Sequence, residues 1–89
     1  MTRLFVRHKV QDYGTWRQAY DEFDAERRSM GVRAHAVYRS IEDPNDITVS
    51  HDFDNPGEAK EFASSDNLRE AMQKAGVVGQ PEIWFVSKA

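Results

Sequence analysis

Six stretches of hydrophobic periodicity follow one another as strand, helix, strand, strand, helix, strand, and this order leaves very few folds open. "RLFVRHKV", residues 3–10, alternates like a strand, with Leu4, Val6 and Val10 on one face and Arg7 and Lys9 on the other. "QDYG" breaks it, and "TWRQ" opens a helix with Thr15 as N-cap and Gln18 at the third helical position of a capping box. Trp16, Tyr20, Phe23 and Met30 recur near helical spacing, and Gly31 supplies a stop. "VRAHAVYRS" alternates again, "IEDPND" turns on Pro44 and Asn45, and "ITVSHDF" returns. A second helix starts with Asn55 as cap and Pro56 at its first position. It is interrupted over Ser64 to Asn67, resumes as "LREAMQKAG" and ends at Gly76. "VVGQP" reads as a loop, and "EIWFVS" as the last strand.

The βαββαβ order predicts one α+β domain over residues 1–89, a ferredoxin-like four-stranded antiparallel sheet. Right-handed crossovers put the first strand in the middle, between the third and the fourth, with the second outside the third. Two helices cover only one face of four strands, so the other face calls for a second copy of the chain. A chain of 89 residues buries only about 60–65% of its unfolded surface, and with no cysteine it has no disulfide to compensate. The net charge of −3, without a Lys/Arg stripe, points away from nucleic acid and anionic membrane. With no signal-like segment or membrane-length apolar run, a cytoplasmic location is expected.

Three segments, "FVRHKVQDYGTWRQAYDEF", "AVYRSIEDPNDITVSHDFDNPGEAKEF" and "SSDNLREAMQKAGVVGQPEIWF", together resemble the antibiotic-biosynthesis-monooxygenase-like group of dimeric α/β-barrel proteins. The resemblance spans essentially the whole chain. It implies two four-stranded sheets facing each other in a homodimer, helices outside, and a pocket between sheet and helices in each subunit. Members of that superfamily include cofactor-free oxygenases of polycyclic phenols, haem-degrading oxygenases, lactone isomerases and polyketide cyclases. The haem-degrading members carry a Trp and a haem-ligating His ten residues apart, at places held here by Phe62 and Met72. No haem, and no cofactor of another kind, is therefore expected. Phenol-oxidising members place polar or aromatic side chains on strands matching Tyr38, Val49 and Phe53, with Val49 standing where they have an amide.

His8 breaks the apolar face of the first strand, where another Val would fit. If the first and third strands are antiparallel neighbours, His8 and His51 share that face, which the resemblance makes the pocket side. The face of His35 is open, because a one-residue slip across the "SIEDPND" turn exchanges it with Ala36 or Tyr38. An imidazole with an unperturbed pKa of about 6.5 suits general acid–base work on a phenol or an enolisable carbon. The plainer interpretation is a half-buried, hydrogen-bonded histidine without chemistry. No HxH or HxxxH spacing supports a three-histidine metal site. Trp16, Tyr20 and Phe23 have the spacing of helix-to-sheet core, and Trp84 suits either the barrel lumen or the dimer seam. Arg39 reads as a solvated strand end, and Asp52 and Asp54 do not form a carboxylate pair.

The resemblance, taken with these residues, implies a small cofactor-independent enzyme acting on an aromatic or polyketide-like compound, by oxygenation or by isomerisation/cyclisation. His51 and His8 are the candidate base or acid, and Tyr38 a hydrogen-bond donor. Phe53, Phe62, Met72, Val49 and Trp84 are the candidate substrate-binding walls. The rival is a non-catalytic small-molecule-binding or stress-related homodimer.

Overall fold

The computed structural model describes residues 1–89. Strand β1 (Thr2–Val10) buries every second residue from Thr2 to Val10 and leaves Arg3, Arg7 and Lys9 exposed, so the alternation is realised with His8 on the inner side. Helix α1 (Tyr13–Glu22) starts two residues before the expected cap. Asp12 takes that role, accepting from the Thr15 backbone N–H at 2.9 Å and from the Thr15 hydroxyl at 3.0 Å. The expected single helix is broken at Phe23, and α2 (Asp24–Ser29) follows. Strand β2 (Ala34–Arg39) and strand β3 (Asp46–Phe53) form the hairpin. Helix α3 (Pro56–Ala63) is capped by Asn55, and α4 (Asp66–Lys74) by Ser65 inside the expected interruption. Gly31 and Gly76 stop the helical stretches at φ of 102° and 82°, a region that only glycine enters cheaply.

The sheet order is β2-β3-β1-β4, all antiparallel, as right-handed crossovers require. The last strand, β4 (Val77–Ser87), is longer than expected, because Val77 and Val78 of "VVGQP" pair with Val10 and Lys9 of β1. The register there shifts between Arg7 and Lys9, and this bulge leaves His8 without a cross-strand partner on β4. On the β1–β3 side His8 stands opposite Ile47, and Leu4 opposite His51.

All four helices lie on one face. Beneath them are two apolar clusters: Leu4, Val6, Val32, Phe53, Ala59, Phe62 and Leu68 in one, Val10, Trp16, Tyr20, Ile47, Val49 and Ala75 in the other. The opposite face carries the ion pairs Arg3–Asp52 and Arg7–Asp46 at 2.7 and 2.8 Å, and Phe5 stacked on Trp84 with ring centroids 5.3 Å apart. Those guanidiniums hold both carboxyls below the usual range by hydrogen bonding. Asp54 pairs separately with Arg33, so Asp52 and Asp54 do not act together. No helix is long and apolar enough to cross a membrane.

Candidate active site between the sheet and the helices

The β2–β3 register pairs His35 with His51, Val37 with Val49 and Tyr38 with Thr48. All three histidines therefore lie on the helix-covered face, which settles the side of His35. A cleft opens on that face. Val6 and His8 reach it from β1, Val49 and His51 from β3, Trp16 and Tyr20 from α1, Arg27 from α2, and Leu68 and Met72 from α4. Its cavity volume is only about 40 Å3, well below the roughly 300–1,000 Å3 of small-molecule sites, so the side chains that line it nearly fill it. Room for a planar ring therefore requires a wall to move, and Met72, unbranched and with three rotatable bonds, is the most adaptable one.

The polar atoms in this apolar cleft are short of partners. Both ring nitrogens of His8, Nδ1 of His51 and Nε of Arg27 are buried with no hydrogen bond. Each such group costs on the order of 1–3 kcal/mol of stability. Burial also disfavours the imidazolium. It brings His8 down to about 4, against a pull from Asp46, and His51 to about 3, where the Arg27 charge adds to the effect. At neutral pH both rings are uncharged.

Arg27 is 2% exposed. Its Nη2 donates to the Tyr20 carbonyl at 2.7 Å, its guanidinium carbon lies 3.7 Å from the Tyr20 ring centroid, and Asp24 Oδ1 is 3.7 Å away. Burial lowers its pKa, but a guanidinium keeps its proton in proteins. The cleft therefore holds one fixed positive charge beside two neutral imidazoles. Trp16 stacks on Tyr20 with centroids 4.9 Å apart and meets the His8 ring edge-on at 5.7 Å.

Of the residues expected at the site, the fold brings together His8, His51, Val49 and Met72. It does not bring Tyr38, where the expectation is corrected, or Trp84, which stands on the side left open by its lumen-or-seam reading. Both occupy the opposite face, Tyr38 facing Thr48 and Trp84 facing Phe5, because the strand period of two sends them away from their histidine neighbours. Phe53 and Phe62 are fully buried, 5.5 Å apart, and lie beneath the cleft as core and not on its wall. His51 packs against Phe62 at 5.0 Å. Arg39 donates to the Pro44 carbonyl and covers Tyr13, tying down a turn. The three histidines do not gather into a group that could hold a metal ion.

Arg27 is absent from the residues expected at the site, although the chain carries a signal for it. Residues 16, 20, 23, 27 and 30 form one helical stripe, and a charged residue on an otherwise apolar stripe is the informative exception.

No protein-family model and no curated protein matches the sequence. Solved structures do. A conserved protein from Methanosarcina mazei Go1 superposes with a TM-score of 0.78 at 17% identity, covering 99% of this chain and 92% of that one. SnoaB, a cofactor-independent oxygenase from Streptomyces nogalater, gives 0.80 at 10% identity over 99% of this chain and 92% of its own. An antibiotic biosynthesis monooxygenase gives 0.75 at 8% identity over 100% and 99%. The resemblance expected from the sequence therefore holds at the level of fold: this chain has the ferredoxin-like fold that antibiotic biosynthesis monooxygenases share.

Proposed function

We propose that the protein is a small cofactor-independent enzyme that binds an aromatic or polyketide-like molecule in this cleft and ionises it. The observation that carries this is the set of unpartnered nitrogens on His8, His51 and Arg27, gathered on one apolar, solvent-connected cleft. A planar ligand with one acidic hydroxyl or an enolisable carbon fits them. Its ring takes the apolar walls, and its ionised oxygen takes the Arg27 charge and imidazole N–H donors. Burial bears on the role of His8 and His51. Neutral rings donate hydrogen bonds to an oxyanion more readily than they hold a proton.

The resulting anion has two outlets. In the first, a ring-activated methylene reacts with one molecule of dioxygen to give a ketone and one molecule of water. One oxygen atom becomes the carbonyl, and the other leaves as water with both methylene hydrogens, so no external reductant is needed. In the second, the anion closes a ring or is reprotonated at another atom. The likeness in fold to SnoaB supports the oxygenation outlet.

Anthrone, a planar carbon acid, is a suitable probe. It is expected to quench Trp16 fluorescence and move the His8 and His51 imidazole resonances, and to be oxidised in the presence of dioxygen. Unmoved resonances would sink the cleft as a binding site. Shifts without turnover, aerobically or anaerobically, would make the protein a non-catalytic binding dimer.

We also propose that the open face of the sheet is covered by a second copy. Trp84 and Val86 stand on that face, 39% and 41% exposed, and their edge strand β4 also leaves Ile83 and Phe85 of the other side 37% and 40% exposed, a strand that invites pairing or aggregation unless something covers it. Trp84→Glu is expected to weaken dimerisation at least tenfold by sedimentation, about 1.4 kcal/mol. An unchanged sedimentation profile would move the interface elsewhere.

A further inference from the structure

The proposed ionisation needs a group that receives the proton, and His8 and His51 are poorly placed to keep it. No carboxylate faces them from the helix side. Asp46 and Asp52 lie across the sheet, each held by an arginine.

The geometry points to Tyr20, His35 and Asp24 as a proton relay from the cleft to solvent, with Tyr20 as the group that takes the substrate's proton. Tyr20 sits near the end of α1 and Asp24 opens α2, so the break at Phe23 keeps both beside β2, where His35 faces the helices. The Tyr20 hydroxyl is hydrogen-bonded to His35 Nδ1. His35 Nε2 lies 3.2 Å from Asp24 Oδ1. A carboxylate only accepts, so the network assigns the imidazole proton to Nε2. Nδ1 is then the acceptor, and the phenol donates to it. A hydroxyl that donates to His35 keeps its oxygen lone pairs for a donor on the cleft side. The Tyr20 ring lines the cleft under the Arg27 guanidinium, whereas the side chains of His35 and Asp24 are 31% and 34% exposed. The array therefore spans the wall, with its inner end in the cleft and its outer end in water.

This inference rests on the small-molecule function proposed above. In the step, a substrate O–H or C–H bond breaks and its proton bonds to the Tyr20 oxygen. The original Tyr20 O–H bond breaks as an N–H bond forms at His35 Nδ1. The imidazolium faces Asp24, and the substrate anion faces Arg27. His35 then releases a proton to water, so the net change is one proton from substrate to solvent. Tyr20 is the catalytic residue in this scheme, and His35 and Asp24 act through it. The charged and titratable groups facing His35 are Tyr20 from α1, Asp24 from α2 and His51 from β3.

The test follows deuterium exchange at the acidic carbon of anthrone in anaerobic heavy water, with the full-length protein. Tyr20→Phe, which removes one oxygen, and His35→Gln are each expected to slow exchange about a hundredfold. Trp16 quenching by anthrone should stay unchanged in both. Asp24→Asn should move the midpoint of the pH–rate profile, a change that a purely structural role does not predict. Exchange at the wild-type rate in Tyr20→Phe overturns the relay, as does an absence of exchange in a wild-type protein that binds anthrone. If anthrone does not bind, the cleft reading fails and nitrogen-15 NMR of His35 decides the relay. An Nε2–H tautomer that changes in Asp24→Asn and whose Nδ1 responds to Tyr20→Phe supports it, and a ring indifferent to both overturns it.

Discussion

Taking the protein from pH 7 to pH 5 is expected to remove about 4 kcal/mol of its stability, roughly 2 kcal/mol from each of two buried imidazoles. The folded-state values, about 4 for His8 and about 3 for His51, lie below the ~6.5 of an exposed histidine. The unfolded chain therefore binds more protons as the pH drops. The stabilisation is fully present above pH ~6.5 and is lost as pH falls through that value toward 4 and 3. Against a total of roughly 4–13 kcal/mol for a chain of this length, such a loss is large. Asp46 and Asp52, whose carboxyls are lowered by Arg7 and Arg3, act in the same direction but in a more acidic window. Urea midpoints at pH 7, 6 and 5 measure the effect. His8→Val and His51→Leu should each remove the slope due to one proton. A flat profile for the wild type would mean that water or a counter-charge reaches these rings.

Arg27 separates folding from function. Arg27→Met is expected to leave the protein as stable as the wild type or more so, because replacing a buried charge by a well-packed apolar side chain is often neutral or stabilising by about 1–4 kcal/mol. Arg27→Ala should instead cost about 3 kcal/mol, since it opens a cavity against Tyr20; both variants lose the 2.7 Å donor to the Tyr20 carbonyl, which keeps the Phe23 N–H at 3.2 Å. Both variants should bind a phenolate at least tenfold more weakly than the wild type, with the affinity of a neutral analogue nearly unchanged. Denaturant unfolding and ligand titration on the same two proteins give the comparison. If Met destabilises as much as Ala while phenolate binding survives, the guanidinium is a strut for the break between α1 and α2 and not an anion site.

Much of the site is legible once the strands are aligned. His8 and His51 can be placed on one face because a strand has a period of two and the two strands are antiparallel neighbours. His35 cannot, since its side depends on the residue count of the turn at 40–45, a local geometry with no periodicity of its own. Resemblance assigns Tyr38 to the pocket, and the same period of two sends it to the other face, where Trp84 also stands. The Gly and Pro of "VVGQP" argue for a loop; they fall in the register shift, and only Val77 and Val78 extend the pairing with β1.

By itself, the sequence determined the element order, the sheet order that right-handed crossovers permit, the helix stops at Gly31 and Gly76, and the presence of a histidine where a core strand wants a valine. All of these follow from local periodicity and backbone sterics, which act over a few residues. Tertiary structure alone decided which side chains meet. It set Arg27 against Tyr20, joined Tyr20 to His35 and His35 to Asp24, and left the nitrogens of His8 and His51 unpaired in an apolar cleft. Those contacts join separate elements through strand register and a helix break, and their energies depend on burial, which exists only after the sheet and helices have packed.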